Sequence, residues 1–74
     1  MNFSKNLKLA RKAKKLTQQQ VADHIMVHRT TYTKYETQNV QPSFEHLCML
    51  SELLGVSTQE LLRGDLTASD PSRP

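Results

Sequence analysis

Apolar residues in this chain recur at intervals of three and four, and the series are broken at legible places. Phe3, Leu7, Ala10 and Ala13 share one face of a first helix whose other face carries lysines, with Ser4 or Asn2 placed to cap it. Thr17, followed three residues later by Gln20, has the form of a capping box, and Leu16 before it is placed to staple onto Val21. Ser57 and Glu60, flanked by Val56 and Leu61, repeat that arrangement. Between them, Pro42-Ser43 precedes the series Phe44, Leu47, Cys48, Leu50, Ser51 and Leu54, which keeps the 3.6-residue period and stops at Gly55, a natural residue to follow a helix.

The stretch VHRTTYTKYE, residues 27–36, reads by intrinsic propensity as a β-strand. Position argues otherwise. With His28 as N-cap, Val27 and Tyr32 take the two places of a hydrophobic staple, and Tyr32 and Tyr35 lie three apart on one helical face. A period-two register would split the tyrosines between faces, and a lone strand has no partner here. The pattern therefore predicts an all-α domain with helices over about 4–14, 18–25, 29–36, 44–54 and 58–63, closing a unit of residues 1–64. The polar segment 65–74, with two prolines after Asp65, has no apolar period and is expected to be a disordered tail.

Composition narrows the picture. A single cysteine, Cys48, allows neither an intramolecular disulfide nor a cysteine-based zinc cluster, so a core of 74 residues depends on packing alone. Cys48 is expected on the inward face of its helix as a small core residue. No run of about eighteen apolar residues and no apolar leader are present, so a cytoplasmic chain is expected. The net charge of +3 is unevenly distributed. Residues 1–35 carry eight basic side chains against Asp23 alone, or +7, whereas residues 36–74 carry two against six acids, or −4. Such a cationic lobe suits a polyanion.

The order LTQQQVADHI, then V-x-x-x-x-Y-x-x-YE, then a proline and an apolar helix ending LGVSTQELL, resembles the Cro/C1-type (lambda repressor-like, XRE) DNA-binding family over residues 3–64. The resemblance implies a compact five-helix fold with a helix-turn-helix at the second and third helices. Ala22 supplies the small side chain that lets these two cross closely, with Val21, Ile25, Val27, Tyr32 and Tyr35 filling the angle between them. It also implies sequence-specific binding to double-stranded DNA, with the third helix in the major groove. Arg29, Thr30, Thr33 and Lys34 would read bases there. Arg29 suits a bidentate bond to guanine, and the threonines offer methyls to thymine. Phosphates would be met by Gln18 at a helix start and by Thr37, Gln38, Asn39, Gln41 and Ser43 on the other flank. Arg11 on the first helix and Glu36 ending the third match a pair that members of the family often join as a salt bridge. A homodimer on a pseudo-palindromic operator is implied as well, and Met49, Leu53, Leu62 and Leu66 are the candidates for an exposed dimer patch.

Three positions depart from the family pattern. Met26 and Gln38 stand where glycine is usual, and both are expected to need a left-handed backbone. His28 stands where serine or threonine commonly caps. A neutral imidazole accepts a hydrogen bond and a protonated one does not, so acid is expected to weaken this helix start. His24 and His28 are four apart, but the predicted turn separates them and no third ligand accompanies them, so no metal, cofactor or small-molecule ligand is expected. No phosphate loop, nucleophile elbow or paired-carboxylate arrangement occurs, and no enzyme activity is expected. The competing reading keeps the fold and changes the partner: an antitoxin or anti-repressor that docks on another protein.

Overall fold

The computed structural model describes residues 3–63; Asn2, a candidate cap, and the segment 64–74, including Leu66 and the expected tail, lie outside them. The described residues form five helices and no strand: α1 (Phe3–Ala13), α2 (Gln18–His24), α3 (Arg29–Thr37), α4 (Phe44–Leu54) and α5 (Thr58–Arg63). No helix among them is long and apolar enough to cross a membrane. α1 packs against α3 and α5, α2 against α3, and α4 against α5. Their inner faces meet in one core of Phe3, Leu7, Ala10, Val21, Ala22, Ile25, Tyr32, Tyr35, Leu47, Leu50, Leu54 and Leu61. Fully burying each of the larger side chains contributes about 1.5–3 kcal/mol against leaving it in water. Ala22 is fully buried between α2 and its neighbours, as a close crossing requires.

Three of the four connections are built to one plan. A residue with left-handed backbone ends one helix, an apolar residue follows, and a capping position opens the next: Lys15-Leu16-Thr17, Met26-Val27-His28 and Gly55-Val56-Ser57. In each, the amide of the apolar residue reaches back five residues: Leu16 to the Arg11 carbonyl, Val27 to that of Ala22 and Val56 to that of Ser51. These are the Schellman bonds that satisfy carbonyls left open at a helix C-terminus. Leu16, Val27 and Val56 pack partly buried against the core, so one side chain closes the outgoing helix and steers the incoming one. The caps differ. Thr17 forms the complete capping box with Gln20, and Ser57 and Glu60 exchange the same two bonds, each 3.0 Å. His28 occupies the N-cap with extended backbone but makes no side-chain capping bond. Acid therefore has no imidazole cap to break at α3.

Several expectations are corrected. α1 begins at Phe3, so Ser4 lies inside it rather than capping it; the buried Ser4 hydroxyl instead donates to the Tyr35 carbonyl at 2.6 Å. Ala13, at the last residue of α1, is exposed because the packed face ends with Ala10 and Arg11. Phe44 is 76 % exposed, since α4 starts there and its buried side begins one turn later at Leu47. Cys48 is only partly buried. Gln38 has φ −121°, and the left-handed residue after α3 is Asn39 at φ 53°. Asparagine enters that conformation more readily than most residues, and here its side chain is held by the Ser4 amide. Met26, at φ 63° and 81 % exposed, does carry the strain expected of it.

Met26→Gly is expected to stabilise the fold by about 1 kcal/mol, because it relieves left-handed strain and gives up little packing. Gln38→Gly is expected to destabilise it by about 0.5–1 kcal/mol, because position 38 needs no such relief. Urea denaturation of the two variants checks both signs.

Candidate nucleic-acid interface

α3 has two faces with opposite tasks. Tyr32, Tyr35 and Glu36 point inward, the two rings meeting edge to face with centroids 6.1 Å apart. Outward, Arg29, Thr30, Thr33, Lys34, Thr37 and Gln38 line one open groove. Their spacing, pairs of neighbours four residues apart, is that of a single helical side. The four candidate base readers are thus brought together, joined by Thr37 and Gln38 at the far end.

What holds this face in place is a buried carboxylate. Glu36 Oε2 accepts from Arg11 Nε at 2.6 Å and from the Tyr32 hydroxyl, while Oε1 accepts from Arg11 Nη2 and Gln18 Nε2, each at 3.1 Å. Arg11 Nη1 continues to the Leu16 carbonyl at 2.8 Å, and Gln18 Oε1 accepts from Thr33 Oγ1 at 3.1 Å. One acid therefore ties α1, the turn after it, α2 and α3 together. The Glu36 side chain is 1 % exposed and that of Arg11 11 %. No buried side-chain polar atom among the described residues lacks a partner. Burial alone would raise the Glu36 carboxyl, but hydrogen bonds from Arg11, Tyr32 and Gln18 outweigh it and hold the group below the usual glutamate range. The hydrogen bond to Glu36 raises the Arg11 guanidinium, and burial, then the bond to Glu36, pushes the Tyr32 phenol far up.

The candidate phosphate residues are less uniform. The side chain of Gln18 is engaged at both ends inside the domain. Thr37 Oγ1 donates to the Thr33 carbonyl at 2.8 Å. Asn39 forms a reciprocal clasp with Ser4: its amide donates to Ser4 Oγ at 2.8 Å, and its Oδ1 accepts the Ser4 amide at 3.1 Å. Asn39 thus caps α1 from 35 residues away and binds it to the end of α3. Ser43 Oγ accepts the His46 amide as the cap of α4, and Gln41 is exposed. Met49, Leu53 and Leu62 are each partly buried, one side packed against the core, and Met26, Val40 and Phe44 are the large apolar side chains exposed among the described residues. Among those same residues no three potential metal ligands cluster. Sequence reading missed Tyr32 as a donor to Glu36, although the two are four residues apart, and missed Ser4 as the partner of Asn39.

A helix-turn-helix family matches residues 7–61, and the chain belongs to that family. The relatives include YqaE of Bacillus subtilis, an uncharacterized HTH-type transcriptional regulator, 46 % identical over 63 residues that cover 85 % of this chain and 54 % of YqaE. The HTH-type transcriptional activator BcrR of Enterococcus faecalis is 37 % identical over 88 % of this chain and 32 % of its own length. The cryptic phage CTXphi transcriptional repressor RstR of Vibrio cholerae is 38 % identical over 82 % of this chain and 54 % of its own. The chain spans about half the length of the first of these relatives. No solved structure matches it.

Removing one partner of the buried pair is expected to cost about 3–5 kcal/mol, because the other charge stays buried and unmatched. Glu36→Gln or Arg11→Met alone should therefore leave the domain largely unfolded, and Arg11→Met with Glu36→Leu should recover most of the loss. The pH dependence follows from the two shifts. The depressed Glu36 carboxyl contributes stability that is present above the ordinary glutamate value of about 4.3 and is lost as pH falls below it. The raised Tyr32 phenol contributes stability that is present below about pH 10 and is lost as pH rises beyond it. Chemical denaturation at pH 3, 5, 7 and 10.5 checks both limbs, with a flatter acid limb expected in the double variant.

Proposed function

We propose that this domain binds double-stranded DNA sequence-specifically and regulates transcription by occupying an operator, in the manner of a repressor. The observation that carries this is the division of α3: a face of exposed Arg29, Thr30 and Lys34 with partly exposed Thr33, on a helix whose other face is anchored to α1 and α2 by Glu36. An α-helix so presented fits a B-DNA major groove, whose donors, acceptors and methyl groups distinguish all four base pairs. Arg29 opens the helix, where side chains reach base edges first, and a bidentate bond to guanine there discriminates by about 1–3 kcal/mol. The excess of positive charge in residues 1–35 favours approach to phosphate. RstR is named a repressor and BcrR an activator, so relatives of both kinds carry this domain.

Backbone contacts at Gln38 and Gln41 and beside Lys34 would flank the groove; the side chains of Gln18, Asn39 and Ser43 act chiefly to hold the helices that bring those groups to it. One such domain makes few contacts, so a two-fold homodimer on a pseudo-palindrome, with half-sites about 34 Å apart, supplies operator affinity. The half-covered sides of Met49, Leu53 and Leu62 are the surface proposed for the second copy, and the cytoplasm is the compartment this role requires.

Fluorescence anisotropy with duplex DNA tests the reading. Affinity for random duplex is expected to fall steeply between about 50 and 200 mM salt through counterion release. Arg29→Ala should weaken binding to a duplex selected from a random pool by roughly tenfold or more and leave random duplex little changed. Lys34→Ala should lower the salt slope by about one if it meets a phosphate. Absent or salt-insensitive binding would contradict the proposal and point to a protein partner.

A further inference from the structure

Two of the residues lining the α3 groove have already committed their hydroxyl protons. Thr33 Oγ1 donates to Gln18 Oε1 on α2, and Thr37 Oγ1 donates to the Thr33 carbonyl. A threonine hydroxyl has one proton to give. Neither side chain, held in this way, donates to O6 or N7 of guanine or to O4 of thymine. Each can still accept a bond, but the other group it offers a base edge is its methyl. Thr33 and Thr37 are one turn apart on the lined side, so two methyl-bearing side chains repeat along the direction in which a groove would run. Thymine is the base that presents an apolar group, its C5-methyl, in the major groove.

We infer that Thr33 and Thr37 form a thymine-methyl reader, with Gln18 as the positioning residue that holds the Thr33 hydroxyl toward α2 and away from base recognition. This rests on the reading of α3 as the groove-entering helix. It moves Thr37 from the phosphate-contacting set to the base-reading one, and it gives Gln18 an effect on specificity as well as on stability. Arg29, whose guanidinium can donate two bonds at once to O6 and N7, supplies the complementary preference for guanine at the helix start. The preferred half-site then combines a guanine with thymines displaced from it along the groove.

Deoxyuridine differs from thymidine by that methyl alone, which makes the test specific. A duplex selected from a random pool is prepared with each thymine replaced singly by deoxyuridine, and binding is followed by anisotropy, with circular dichroism confirming that each variant is folded. Wild type is expected to lose about fourfold at each of two positions, the weight of one buried methyl group. Thr33→Ser keeps the hydroxyl and loses the methyl, and should bind the thymine and uracil forms equally at one of those positions. Thr37→Ser should do so at the other. Thr33→Val keeps the methyl and should keep the thymine preference even if overall affinity falls. Gln18→Ala should shrink the ratio at the Thr33 position and leave the Thr37 position unchanged. A selected duplex bound with no thymine–uracil difference, or a difference that survives in both serine variants, would overturn the inference while leaving DNA binding intact. Failure of any duplex to bind would instead remove the reading of α3 on which the inference stands.

Discussion

The domain depends on one buried carboxylate. Glu36 sits where α1, α2 and α3 converge and takes four hydrogen bonds, two of them from Arg11, so its negative charge is matched in charge and in geometry. A lone carboxylate at that depth would be prohibitively costly, and an unpaired guanidinium hardly less so. The pair adds little net stability over apolar residues of the same shape; its contribution is orientation. Because the acceptor lies on α3 and three of its four hydrogen bonds come from Arg11 on α1 and Gln18 on α2, the rotation of α3 about its own axis is set by polar geometry as well as by packing. A second clasp, Ser4 with Asn39, holds the residues just after α3 to α1. The C-terminal end of α3 is thereby pinned twice, with its outer side open.

The same economy governs the turns. Each of three connections uses one apolar residue to close a helix behind it and to open the next, which is how a chain with no disulfide covers its helix ends. The cost lies in the backbone. Two of those turns place lysine and methionine, rather than glycine, in the left-handed region, and Asn39 adds a third such residue after α3. Of the three, Asn39 has the clearest compensation in its bonds to Ser4. Gly55 is the glycine that does fit its turn; the Lys14 ammonium lies 3.4 Å from where a β-carbon would stand, close to the negative end of the α4 dipole.

Much of this was legible in the sequence, for local reasons. Thr17 with Gln20 and Ser57 with Glu60 announce their helices through bonds three residues long, and the inward tyrosines identify the residue 27–36 stretch as helical against its own propensity. The helix limits follow within one residue of the expected ones. What was not legible depends on distance in the chain. Ser4 reads as a cap because serine favours that place, and its engagement with residues 31 and 35 positions away is set only by the packed fold. Phe44 reads as core because it continues a period, although the period begins one turn before the core does. Gln38 and Asn39 differ by one position in which residue turns left-handed, a boundary that pattern alone cannot place. The candidate site divides in the same way: the outward residues follow from helical spacing, but the internal bonds of Gln18, Thr33 and Thr37 do not.

The surface proposed to meet a duplex is the outer side of α3, held by Glu36. Amide chemical-shift mapping tests it most directly, by titrating the isotopically labelled domain with its selected duplex. The largest changes are expected along residues 29–38 and at the start of α2, with smaller ones at Met49, Leu53 and Leu62 where a second copy would pack. Changes concentrated on α4 and α5, with α3 unmoved by saturating duplex, would contradict it.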